Sequence, residues 1–66
     1  MNIEIRANSD ILGDGTNFRT VVDKSTNERI FHLGEKNGKV HLWTNKMVPV
    51  EKICAAINAL SANNKL

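Results

Sequence analysis

Only one stretch of this chain, residues 49–61, spaces its apolar residues for a helix. Val50, Ile53, Cys54, Ile57 and Leu60 recur at intervals of three and four, the pattern an α-helix buries along one stripe. Pro49 suits the first helical position, where its missing N–H costs no hydrogen bond. Glu51 follows in the first turn, where the helix dipole favours negative charge. The opposite side holds Glu51, Lys52, Ala55, Asn58, Ala59 and Ala62. One such helix has one face to bury, so it covers a single side of whatever the rest of the chain builds.

The rest reads as strands. "NIEIRA" (2–7) alternates strictly, with Ile3, Ile5 and Ala7 on one side. "FRTVVD" (18–23) is rich in β-branched residues, which suit strands. "RIFHL" (29–33) and "KVHLWT" (39–44) follow. Between the first two lies "NSDILGDGTN", dense in turn-forming residues. It is read as a loop anchored by Ile11 and Leu12. Its resemblance to a calcium loop fails, because Leu12 and Val21 fall where oxygen ligands are required. "KSTN" (24–27) makes the next turn, and Asn37-Gly38 is the strongest hairpin signal, since a two-residue type I′ turn needs positive φ at both positions. The expected architecture is α+β: a four-stranded antiparallel sheet with one C-terminal helix on one face, a single domain over 1–66 with a frayed tail at about 62–66.

Hairpin geometry then assigns faces, because side-chain direction has period two along a strand. A turn at Asn37-Gly38 pairs Leu33 with Leu42 and His32 with Trp43. A two- or four-residue loop within 24–27 pairs Val21 with Ile30, at the cost of setting Asp23 opposite Glu28, a mildly unfavourable like-charge pair. One face then carries Phe18, Thr20, Val22, Phe31, Leu33, Val40, Leu42 and Thr44. The other carries Arg19, Val21, Ile30, His32, His41 and Trp43. The first is the more apolar and is expected under the helix. The second, holding the only tryptophan, is too apolar for plain solvated surface, and such patches mark interaction sites.

Size sharpens the point. A chain of 66 residues buries only about 60% of the surface its unfolded form exposes. With Cys54 alone, neither a disulfide nor a cysteine-rich zinc site supplies the missing stability. Self-association is the remaining route, so a homodimer is expected. Cys54 lies on the apolar stripe and is expected to be buried and inert. The lone thiol and the absence of a signal-like stretch point to the cytoplasm. No apolar run is long enough to span a membrane.

No chemistry assembles. His32 and His41 lack the third ligand that histidine metal sites use, and no acid pair or triad has the right spacing. Neither an enzyme nor a cofactor or metal site is expected. The leading expectation is a protein-interaction module, an adaptor, inhibitor or regulator of unidentified partner, binding through Trp43, His41, His32, Ile30, Val21 and Arg19. The alternative is nucleic acid. Residues 36–66 carry five lysines against Glu51 alone, and Lys36, Lys39, Lys46 and Lys52 would then contact phosphate. Against it, no two basic residues are adjacent, whereas nucleic-acid footprints usually cluster them.

Overall fold

The computed structural model describes residues 1–66. Strands β1 (Ile3–Ala7), β2 (Thr16–Asp23), β3 (Glu28–Lys36) and β4 (Lys39–Trp43) precede helix α1 (Val50–Ala62). The strands form one antiparallel sheet in the order β1-β2-β3-β4, the α+β architecture expected from the pattern. Asn37 and Gly38 sit at φ 54° and 76°, the two positive angles of a type I′ turn. The turn sets Lys36 opposite Lys39, Leu33 opposite Leu42 and His32 opposite Trp43.

The β2–β3 pairing departs from expectation midway. The 24–27 loop does place Asp23 opposite Glu28 and Val22 opposite Arg29, but Val21 then pairs with Phe31, not Ile30. Ile30 is an extra residue in β3, a β-bulge. A bulge shifts the register by one, and a one-residue shift exchanges the faces of every residue beyond it. Val21 therefore joins Phe31 and Leu33 beneath the helix. Ile30 is itself fully buried in the same cluster. Arg19, opposite Ala7 and Leu33, follows Val21 to the helix side. Phe18, Thr20 and Val22 move to the other.

Ile53, Ala56, Ile57 and Leu60 of α1 pack on this cluster, together with Ile3, Ile5 and Val48. Val50 (72% exposed) and Cys54 are in solvent, so the buried stripe is rotated from the expected one. Ala56 explains the rotation: it is fully buried, and a methyl side chain lets the helix approach the sheet closely. At its start, the Pro49 carbonyl accepts from the Ile53 N–H at 3.2 Å. At its end, where fraying is expected, Asn64 at φ 54° turns the chain. There Lys65 N–H donates to Leu60 O (2.9 Å) and Asn64 N–H to Ser61 O (3.1 Å), the paired bonds of a Schellman cap.

Helix and hairpin are also joined by charge. Lys52 reaches from α1 to Glu28 and lies 3.5 Å from Asp23 Oδ2, which is only 8% exposed. The lysine thus sits between the two carboxylates that the 24–27 turn forces together. The Ser25 hydroxyl and N–H, followed by Lys52, hold the Asp23 carboxyl below its usual value. The Lys52 contact, followed by Lys46, does the same for Glu28. Carboxyl groups with depressed native values stabilise the fold above their ordinary range, and that stability disappears as pH falls through the depressed values. Lys52→Met is therefore expected to lower the melting temperature near neutrality and to flatten its decline below about pH 5. Melting curves across pH check this; an unchanged acid slope would disconnect Lys52 from the carboxylates.

Candidate functional site

The sheet face away from α1 carries an aromatic cluster built by three strands. Phe18 of β2 meets Trp43 of β4 edge to face, with ring centroids 5.8 Å apart. His32 of β3 lies beside the indole at 5.4 Å. Edge-to-face pairing aligns the positive rim of one ring with the negative face of the other. Gly34 makes the pairing possible. A Cβ there would come within 2.8 Å of the Phe18 ring and 3.2 Å of Trp43 Cζ3. The rings therefore sink onto bare backbone. Trp43, Phe18 and His32 remain half-buried.

The 8–15 loop folds over the end of this cluster and turns it into a cleft. Its glycines are what allow the approach: a Cβ on Gly15 would come within 2.8 Å of the Glu35 carbonyl oxygen and 3.3 Å of Phe18 Cζ. Asp14 pins the loop through Lys36 Nζ, at 2.5 Å, and the same contact holds the Asp14 carboxyl below its usual value. The resulting cleft, of about 330 Å³, is bounded by Leu12, Gly13, Asp14, Gly15, Phe18, Gly34, Glu35, Lys36, His41 and Trp43. That volume is at the lower end for binding pockets. Leu12, expected to anchor the loop inward, instead stands 95% exposed at the rim.

A polar chain flanks the cluster on the same face. Asn8 Nδ2 donates to Thr20 Oγ1 at 3.0 Å, and Thr20 Oγ1 lies 3.0 Å from His32 Nδ1. With its oxygen accepting from Asn8, the Thr20 hydroxyl is assigned as donor to a neutral imidazole that carries its proton on Nε2. Burial first, and Arg29 second, lower the His32 pKa below its ordinary value. Because the folded protein binds this proton less readily than the unfolded chain, acidification below about pH 6.5 erodes stability. Thr20 is itself 4% exposed. Thr20→Val strands its two partners, and a loss of about 1 kcal/mol is expected. Denaturant unfolding checks it, and an unchanged midpoint would mean the chain carries no stability.

The expected interface residues therefore divide. Trp43, His32 and His41 share the open face. Val21 and Ile30 do not: both are fully buried, removed by the bulge. Arg19 also leaves, its side chain 14% exposed and directed to the Asn17 carbonyl (3.1 Å) and Glu35 (3.9 Å). Phe18, assigned from sequence to the core, takes their place. The four lysines of the nucleic-acid reading do not converge. Lys36 pairs with Asp14, while Lys46 and Lys52 pair with Glu28. Lys36 and Lys39 flank one end of the nine-residue β3 and Glu28 marks the other, roughly 26 Å away at strand rise.

No three His, Cys, Asp or Glu side chains gather as a metal site would need, and no helix is long and apolar enough to cross a membrane. Comparison with family models, curated proteins and solved structures finds no match to this chain.

Proposed function

We propose that this chain is a small non-enzymatic interaction module, an adaptor, inhibitor or regulator, that grips an apolar side chain of a protein partner in the cleft beside Trp43. One observation carries the reading. Leu12 stands 95% exposed at the mouth of a cleft floored by Phe18, Gly34 and Trp43. A tryptophan in a partly desolvated pocket with an apolar rim is the composition of a binding hot spot. The rim also offers both signs of charge, Asp14 beside Lys36, which orient a peptide but neutralise one another towards a polyanion. The dispersal of the lysines, with Lys36, Lys46 and Lys52 already ion-paired, weighs in the same direction.

Replacing Leu12 with a photo-crosslinking residue and irradiating cells that naturally make the protein tests this. The expected adduct is a discrete protein, lost when Trp43→Ala is added. Adducts to nucleic acid, or protein adducts indifferent to Trp43→Ala, would overturn the reading.

A further inference from the structure

The open edge of the sheet at β4 has a pattern complementary to itself, and we infer that it pairs antiparallel with the same edge of a second copy. This pairing borders the Trp43 cleft, since His41 and Trp43 belong to both, but its register is set by the edge of the sheet and not by what the cleft holds. The Asn37-Gly38 turn makes Lys36 and Lys39 a hydrogen-bonded pair, so alternation turns the N–H and C=O groups of Val40 and Leu42 outward. Nothing in the chain pairs them, since β4 neighbours only β3. The strand carries no proline and no bulge in its pairing with β3, which leaves the charge of Lys39 as its main protection.

A two-fold axis at His41 sets Val40 opposite the second copy's Leu42, where the outward groups exchange hydrogen bonds. These side chains lie on the helix side, 42% and 38% exposed. They border an apolar groove of about 200 Å³ with Ile57 and Leu66 that α1, packed across β1 and β3, leaves open. On the other face the same axis sets Lys39 opposite the second copy's Trp43. Lys36, Lys46 and Lys52 are ion-paired and Lys39 is not, and an ammonium beside an indole is an attractive pair. Apolar meets apolar, and cation meets aromatic. The edge at β1 offers no comparable free surface: Ile3 and Ile5 are already packed into the core, and Glu4 is engaged by Arg6 and Lys24.

This register predicts a specific crosslink. The two His41 residues form a non-hydrogen-bonded pair with Cα atoms about 4.5 Å apart, within disulfide range. The two Lys39 residues lie roughly 13 Å apart along the strands. In a Cys54→Ser background, His41→Cys is expected to oxidise to a covalent dimer at least tenfold faster than Lys39→Cys. Val40→Lys with Leu42→Lys is expected to leave a folded monomer by circular dichroism and sedimentation. Equal crosslinking from both cysteine positions, preferential crosslinking from Leu12→Cys, or a monomeric mass at millimolar concentration would overturn the edge pairing.

Discussion

Phe31→Ala is expected to remove a large part of this fold's stability and to lower its urea midpoint sharply. Phe31 is 1% exposed and belongs to a core of only six buried residues, Val21, Ile30, Phe31, Leu33, Ala56 and Leu60. Truncating a buried phenylalanine to alanine costs roughly 3–5 kcal/mol, from lost transfer energy and the cavity left behind. A domain of this length has on the order of 3–10 kcal/mol in total. A single residue thus accounts for a large part of the margin. Phe31 also anchors the register beyond the bulge, where it faces Val21, so its loss frees β2 to slip. Circular dichroism with urea titration checks this. A folded variant with a midpoint near that of the parent would mean that the core lies elsewhere.

Gly34→Val is expected to dismantle the aromatic cluster while leaving the helix side in place. Even a bare Cβ at this position would press into Phe18 and Trp43, and a branched side chain needs still more room. Forcing extra atoms into packed surroundings costs roughly 1–3 kcal/mol, and the upper part of that range applies here. The rings are free to swing outward into solvent, so the strain is relieved by opening the cleft, not by unfolding. The signature is a red-shifted and more readily quenched Trp43 emission in a protein that keeps its helical circular dichroism. Unchanged fluorescence would show that the indole does not rest on Gly34. The same variant is expected to lose the partner crosslinked from position 12, since the floor of the cleft has gone.

Much of the architecture was legible because its determinants are local. Asn37-Gly38 specifies its turn through two positive φ angles, and the β3–β4 register follows from that turn alone. The helix announces itself through Ile53, Ile57 and Leu60. What sequence reading missed has no local signature. The bulge at Ile30 is a compromise between the 24–27 turn and the packing beneath α1. The turn sets Asp23 against Glu28, which looks unfavourable until Lys52 arrives from the helix more than twenty residues away. The core then takes Phe31 and Ile30 together. One extra residue exchanged Phe18 with Val21, and with it half of the expected interface. Ala56 was overlooked for a related reason: a methyl group carries little weight in an apolar pattern, yet close helix–sheet contact selects it over the larger Val50 and Cys54.

The loop over the cleft shows the same limit. Its glycines and acids identified a turn, and nothing in their order said that Gly13 and Gly15 lie flat on Phe18 or that Asp14 reaches Lys36. In retrospect the signal was Gly34, a glycine inside a strand. Such a residue marks a place where something approaches the backbone closely. Here the visitors are two aromatic rings from neighbouring strands.

A lone helix that leaves Trp43 on the uncovered side underlies both the cleft and the partner it is proposed to hold. Proton–proton contacts of the Trp43 indole, read by nuclear Overhauser spectroscopy on dilute protein, test that placement most directly. The indole is expected to show contacts to the Phe18 and His32 rings and none to the methyl groups of Ile53, Ile57 or Leu60. Strong contacts to those helix methyls, with Phe18 silent, would put the indole in the core beneath α1 and leave the cleft without its floor.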